Sequence, residues 1–527
     1  MDFDVIVIGS GFGGAITACR LAEGNYRALI LERGRRWDKT NYPRRPTDPW
    51  IWSHEHPETK NGWLDLRVFP NMTVAAGAAV GGGSLIYANI SAVPPKNTFD
   101  AGWPREISFA ELEPHYAEVG RFMRVQQVPD NQWSARMKLV RDAAVATGNS
   151  ARFRKLDLAV SFDPNFTYEQ DDPHNVSKSV PFVNAQGVEQ GTCVHLGNCD
   201  IGCDADAKNT LDRNYIPWAE KHGAEVRPLH LATNVEPLSG GYRVSYDRLD
   251  SGRRISGSAT ARIVIVAAGS LGSTELLLRC REETQSLPNL SPFLGHNWSS
   301  NGDFLTPALH EGRAVSPTRG PTIACAIDFL DRSFQGESFW IQDGGFPDLA
   351  GDYLRGHAGD PPENARARLL LESIRHLLGA NDPFRHIMPW FAQSVDAGDG
   401  LFSLKKKFWL FGPRRLHLAW DIARSKATIN AVVDMHKKLA EATGGIPLVP
   451  PTWWLAHDLV TPHPLGGCNM GDSPQTGVVD HRGEVFGYRN LYVADAAIIP
   501  EAIGVNPSRT IGALAERIAA IIKAEGR

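Results

Sequence analysis

The sequence predicts an α/β protein in which a Rossmann-like dinucleotide-binding domain is assembled from discontinuous segments, with a second, aromatic-rich region inserted between them. Three observations carry this expectation. Asp4 to Gly34 reads as strand, glycine turn, helix and second strand, in the order of a βαβ unit. Arg262 to Arg279 repeats the strand, turn and helix far downstream. Leu491 to Ala494 is a third short apolar run, which ends at Asp495 and is followed from Ser508 by an amphipathic helical pattern.

The first unit is justified step by step. Val5 to Ile8 is uniformly apolar, as a parallel strand buried on both faces requires. Gly9, Gly11 and Gly14 stand at G-x-G-x-x-G spacing, which permits a tight turn, close approach of a pyrophosphate and tight packing of helix on strand. Ala15 to Ala22 continues as the helix whose positive N-terminus faces that phosphate. Ala28 to Leu31 is the second strand, and Glu32 at its tip is placed to accept hydrogen bonds from a ribose. A lone glycine fingerprint is weak evidence; two strands, a helix and the acid together predict a dinucleotide site.

Bulk properties narrow the function. At 527 residues the core can be large, and a net charge of -4 gives no reason to expect nucleic acid as a partner. No apolar run is long enough to span a bilayer, and the first strand at Val5 leaves no room for a signal peptide. Seven cysteines, an odd number over a long chain, fit a reducing compartment. A soluble, cytoplasmic protein is expected.

Trp37 to Pro70, rich in Pro, Trp and His, reads as a long ordered loop or cover. Thr73 to Ile90 holds Gly77, Gly81, Gly82, Gly83 and Ser84, a second place where backbone can approach a flat or phosphate-like group. Helices are expected over Phe109–Gln126, Ala135–Gly148 and Lys208–Trp218, with an irregular stretch from Ala151 to Pro181. Cys193, Cys199 and Cys203, with His195 among them, could hold zinc or an iron-sulfur centre, but their spacing favours a structural loop with buried thiols and no metal. Thr233 to Tyr246 alternates as strands do; Arg262 to Ala268 is another buried strand, after which Gly269 and Gly272 allow a tight turn and Ser273 or Thr274 can cap the next helix. An amphipathic helix is expected over Pro362–Leu378. The basic-aromatic stretch LKKKFWLFGPRRLHLAW could touch a membrane surface, but alternation through Leu416, Leu418 and Trp420 favours a hairpin turning at Gly412 and Pro413.

Chemistry concentrates near the C-terminus. His463 sits in TPHPLGGCNMG, a turn held by Pro462 and Pro464 and loosened by Gly466 and Gly467, so its imidazole can be aimed into a cavity. Asn506, before Pro507, offers a second fixed polar side chain.

The fingerprint, VGGGSL, AAGSLGSTELL, HPLGG and GVNPSRT occur in an order that resembles the glucose-methanol-choline (GMC) oxidoreductase family, and within it the branch of bacterial cholesterol oxidases with non-covalent flavin. The resemblance covers the cofactor half and fades between about Gly312 and Leu455. It implies FAD, with residues 1–310 and 460–527 forming the FAD-binding domain and 311–459 a substrate-binding domain built on an antiparallel sheet with helices. The implied cofactor contacts are Gly9, Gly11, Phe12, Gly13, Gly14, Glu32 and Arg33; Gly77, Gly83, Ser84, Tyr87, Asn89 and Ile90; Val235 and Gly269; and Asp495, Ala496, Asn506, Pro507 and Ser508. No His follows the GGGS turn where covalent members attach flavin, so a dissociable cofactor is expected.

The implied reaction is oxidation of a small-molecule alcohol, bulky or apolar and possible as a steroid, to an aldehyde or ketone. His463 serves as base, Asn506 holds the alcohol oxygen, hydride passes to flavin N5, and O2 or another acceptor takes the electrons. The Glu that serves steroid isomerisation in those enzymes has no counterpart in DPFRHIMPWFAQSVDAGDG, where His386 is the nearest titratable group, so no isomerisation is expected. Two alternatives stay open at this level: a lyase using flavin structurally, and a dehydrogenase passing electrons to a quinone or cytochrome.

Overall fold

The computed structural model describes residues 1–45, 47–169, 175–348, 383–406, 413–450 and 459–526. The chain opens as the fingerprint requires. Strand β1 (Phe3–Ile8), helix α1 (Phe12–Glu23) and strand β2 (Ala28–Leu31) follow one another, and Val5 to Ile8 pair in parallel with Ala28 to Leu31. The glycines between them are dictated by close contact. A Cβ on Gly13 would stand 1.7 Å from the Ala494 carbonyl oxygen, and one on Gly14 2.0 Å from that of Gly9. Gly9 itself has φ +100°, which a side chain disfavours. Because the obstacles are backbone, Gly13→Ala is expected to destabilise the fold by about 3 kcal/mol or more, read as a lowered denaturant midpoint.

Trp37 to Pro70 is irregular only as far as Trp63. Strand β3 (Leu64–Phe69) pairs antiparallel with β4 (Met72–Gly77), correcting the expectation of one long ordered loop or cover. The strand escapes pattern reading because its polarity is inverted: Leu66 and Val68 are exposed, while Asp65 is buried against Arg33. Helices α2 (Phe109–Phe122) and α3 (Ala135–Ala146) start at Ser108 and Ser134, whose side chains accept from the Glu111 and Met137 amides. A short strand, β5 (Phe153–Lys155), interrupts the stretch expected to be irregular.

The helix expected over Lys208–Trp218 begins later, as α4 (Tyr215–Lys221), because Lys208 turns inward to donate to the Leu85 and Cys199 carbonyls and Asn214 caps the helix. Strands β6 (Glu225–Arg227), β7 (His230–Leu238), β8 (Gly241–Asp250) and β9 (Arg253–Val266) follow. Helix α5 (Gly269–Glu282) starts at Gly269, so Ser273 and Thr274 lie inside it and cap nothing ahead of it. Ser273 Oγ instead accepts from the Ala268 amide at 2.9 Å.

The second region supplies β10 (Phe304–Leu309), β11 (Cys325–Phe334), β12 (Glu337–Asp343), β13 (Ile387–Ser394), the paired β14 (Leu401–Lys406) and β15 (Arg414–Ala419), α6 (Lys426–Ala442) and β16 (Ile446–Pro447). Pairing of β14 with β15 matches the expected hairpin, although Gly412 lies outside the described residues, as does the helix expected over Pro362–Leu378. The chain closes with β17 (Leu459–Thr461), β18 (Leu491–Val493) and α7 (Ser508–Ala524).

Two sheets organise these elements. The first runs β6-β2-β1-β9-β8-β7. Its β6, β2, β1 and β9 are parallel, β8 and β7 form an antiparallel meander, and β18 joins the C-terminal end of β9 in parallel. Head, middle and tail of the chain thus share one sheet, as the three separated apolar runs predict. The second runs β16-β10-β13-β12-β11-β5 and is antiparallel throughout. It draws β5 and β10 from outside the expected 311–459 segment. No helix of the described residues is long and apolar enough to cross a membrane.

Candidate active site

The loop after β17 carries His463. Its backbone is fixed from both sides: the His463 amide donates to Thr461 Oγ1 at 2.9 Å, and Gly466 and Gly467 take φ values of +79° and +100°. Asn506 arrives from the turn before α7 and is buried. Its Nδ2 lies 3.3 Å from His463 Nε2, so the two sequence-predicted side chains meet directly.

The rest of the site comes from the second sheet, the turn ahead of it and Thr461 on β17, and sequence reasoning missed it. Asp303, just ahead of β10, places both carboxylate oxygens 2.9 Å from His463 Nδ1. Thr461 Oγ1 donates to Asp303 Oδ2 at 2.6 Å. Burial pushes the Asp303 carboxyl above its ordinary value, against the pull of His463, Thr461 and Gln393. Gln393 on β13 sits with Nε2 3.0 Å from His463 Nδ1, and Gln342 on β12 donates from Nε2 to Asn506 Oδ1 at 2.8 Å. Trp340, directly across from Gln393 in the ladder, donates its indole N–H to Gln393 Oε1 at 2.8 Å. Polar residues in WIQD and FAQS look like the wet face of alternating strands, yet Gln342 and Gln393 are fully buried. Only the placement of the sheet against the His463 loop reveals them.

This arrangement has one chemical consequence. A carboxylate at Nδ1 holds the proton on that nitrogen and leaves Nε2 with its lone pair, as proton removal from a hydroxyl requires. His386 lies elsewhere, donating from Nδ1 to the His310 and Arg313 carbonyls at 3.2 and 3.0 Å.

Several of the expected cofactor residues lie at the ends of β2, β9 and β18 in the first sheet. Glu32 is buried, accepting at Oε2 from the Ser10 amide and hydroxyl and at Oε1 from the Gly34 amide, with acceptor capacity left over. Arg33 donates to Asp65 and lies over Trp52, and Phe12 packs edge-on to Tyr87 with centroids 5.5 Å apart. Asp495, at the tip of β18, accepts at Oδ2 from the Gly269 amide and Ser273 hydroxyl and at Oδ1 from the Ala497 amide; burial pushes its carboxyl upward. The Ala496 carbonyl accepts from Gly466, which ties this strand tip to the His463 loop. Ser508 Oγ donates to the Ile90 carbonyl, and Pro507 stands at the start of α7.

Some expected contacts are committed within the protein. Ser84 Oγ donates to the Gly81 carbonyl and accepts from the Leu211 amide, Tyr87 Oη donates to Asn209 O, and the Val235 amide donates to Cys280 Sγ. A Cβ on Gly77 would crowd the Gly82 carbonyl at 2.6 Å, so that glycine shapes the turn. Cys193, Cys199 and Cys203 are unpaired; the residues are partly exposed, while burial pushes the thiols of Cys193 and Cys203 upward, as the expected buried thiols require. Among the described residues no group of three His, Cys, Asp or Glu has the geometry for a metal ion. The loop is fastened instead by Lys208, whose amine burial pulls down to about 8.

The residues present fit a flavin dinucleotide. A Cβ on Gly11, Gly83 or Gly269 would meet nothing within 4 Å, although each belongs to a crowded turn region. Asn89 is fully buried at φ +67°, and neither its Nδ2 nor its Oδ1 has a protein partner. A polar group so placed calls for a ligand partner.

Comparison with known proteins agrees with this geometry. The profile described as GMC oxidoreductase matches residues 416–515. The chain is 33% identical to a cholesterol oxidase of Acinetobacter baumannii, over 99% of this chain and 95% of that one. It is 31% identical to a cholesterol oxidase of Mycobacterium tuberculosis, over 99% and 91%. In fold it is similar to the crystal structure of pyridoxine 4-oxidase from Mesorbium loti, with a TM-score of 0.61, 16% identity and 98% of each chain covered. With relatives this similar over nearly their whole length, the chain belongs to the GMC oxidoreductase family, the FAD-dependent oxidoreductases acting on alcohols.

Proposed function

We propose that this enzyme oxidises a bulky, apolar alcohol, of steroid-like size, to a ketone or aldehyde without isomerising the product. The observation that supports it best is the Asp303–His463–Asn506 row, which presents an unprotonated Nε2 and a carboxamide N–H at one place. In this reading His463 Nε2 takes the hydroxyl proton as general base, an effect worth ~10²- to 10⁴-fold. Asn506 Nδ2 donates to the same oxygen, holding it and stabilising the charge that develops there. Asp303 keeps the Nδ1–H tautomer and stabilises the imidazolium that results. Non-covalently bound FAD supplies, at flavin N5, the acceptor for the hydride that leaves the carbinol carbon.

Among the described residues the hydrogen-bonded row has His463 and Asp303 as its ionisable groups; Gln342, Gln393 and Asn506 cannot carry a proton from one carbon to another. His386 is tied to the 310–313 turn, which supports oxidation alone. The size and apolarity of the substrate rest on the likeness to cholesterol oxidases. O2 or another acceptor would take the electrons from the bound cofactor. Seven unpaired cysteines suit the reducing cytoplasm.

Anaerobic mixing with a panel of alcohols tests the proposal. Bleaching of the flavin band by bulky secondary alcohols supports it, and the product of a Δ5-sterol should lack the conjugated enone absorbance. Turnover without bleaching would point to a lyase instead. Reoxidation by O2 or only by a quinone or cytochrome then separates oxidase from dehydrogenase. Glu32→Ala is expected to loosen FAD, measured by dialysis and absorbance, more than it slows flavin reduction in the FAD-saturated enzyme.

A further inference from the structure

Trp340 makes no hydrogen bond to His463 or Asn506, but its indole N–H donates to Gln393, the first of three buried carboxamides that lead to Asn506. An indole N–H can only donate, so the atom of Gln393 that meets it at 2.8 Å must be the carbonyl oxygen, Oε1. That choice turns the Gln393 amide NH2 alongside the His463 ring toward the Asp303 carboxylate, which accepts from it against the upward push of burial. Gln342 Nε2 is 3.5 Å from the same Gln393 oxygen, which turns its NH2 the same way, and from there it donates to Asn506 Oδ1 at 2.8 Å. With its oxygen so engaged, Asn506 has only its NH2 left to face His463 Nε2 at 3.3 Å. Trp340, Gln342, Gln393 and Asn506 are all buried, so water does not compete along this chain.

Resting on the alcohol-oxidation reading above, we infer that Trp340 is a positioning residue whose single N–H orients three carboxamides so that Asn506 presents its NH2 to His463 Nε2 and to the alcohol oxygen. The opposite orientation would present a carbonyl to both. A carbonyl repels the negative charge developing on the alcohol oxygen, and it welcomes a protonated Nε2, which is no longer a base. The NH2 therefore faces the lone pair of a neutral Nε2 and has no acceptor to offer a protonated one. Activity that needs the free base should survive to lower pH with the chain intact than with it broken.

The test is Trp340→Phe, which keeps an aromatic ring and removes the donor. Anaerobic flavin reduction is followed across pH in FAD-saturated enzyme, with FAD content and thermal midpoint recorded alongside. The expected result is a plateau rate lowered about 10-fold and an acid limb displaced upward by about one pH unit. In an Asn506→Ala background, Trp340→Phe should cost nothing further, because the group it orients is gone. Gln342→Leu, which cuts the chain one link nearer Asn506, should displace the acid limb in the same direction and serves if the Trp340 variant does not fold. An unmoved acid limb in a folded variant, or losses that add to those of Asn506→Ala, would overturn the inference. His463→Ala run in parallel separates the levels. If it leaves flavin reduction unchanged, the alcohol-oxidation mechanism itself fails; if it slows reduction while Trp340→Phe leaves the limb in place, only the role of Trp340 fails.

Discussion

His463→Ala is expected to bind FAD as the wild type does and to reduce it by alcohol at least ~10²-fold more slowly. The side chain is 15% exposed and held on three sides, by Asp303 at Nδ1, by Gln393 alongside and by Asn506 at Nε2. A ring so constrained has little freedom beyond presenting Nε2, so its removal takes away the proton acceptor rather than a packing element. Stopped-flow absorbance under anaerobic conditions reads the rate directly. An equal cofactor content with an unchanged rate would remove His463 from the chemistry.

Asp303→Asn is expected to slow the same step by about 10²-fold, with cofactor content preserved. The substitution keeps the volume but removes the charge facing the imidazolium, and it brings two amide hydrogens against partners that already donate, His463 Nδ1–H and Thr461 Oγ1. The ring then loses its reason to keep the proton on Nδ1. Asp303 is fully buried, and burial pushes its carboxyl upward, so the site retains a costly charge where a neutral amide would fill the same space. A variant as fast as wild type would show that this charge does nothing for the reaction.

The nucleotide half of the fold was legible because its constraints are local. Gly14 is demanded by the Gly9 carbonyl within the same turn, the glycine spacing shows in one short window although Gly9 and Gly13 are crowded by the distant Ala267 and Ala494 backbone, and apolar runs such as Ile263–Val266 declare a strand covered on both faces. His463 and Asn506 were legible because Pro and Gly neighbours mark a side chain held by its own backbone. The partners that hold His463 in place were not. Asp303 stands in a Ser-Asn-Gly-Asp turn that reads as surface, and Trp340, Gln342 and Gln393 meet only through the register of β12 with β13. Strand β3 was hidden because its charged side chains point inward, and the start of α4 because Lys208 is used as a buried tie between two loops. In each case a tertiary ion pair or hydrogen bond overrides the pattern that a window of sequence displays.

The central claim is that His463 and Asn506 act on an alcohol whose carbinol hydrogen leaves as hydride for bound FAD. Its most direct test is anaerobic flavin bleaching by a bulky secondary alcohol carrying hydrogen or deuterium at the carbinol carbon. The account predicts that deuterium slows bleaching several-fold in the wild type. Bleaching at the same rate with either isotope in both the wild type and His463→Ala, or consumption of the alcohol with the flavin band intact, would contradict it.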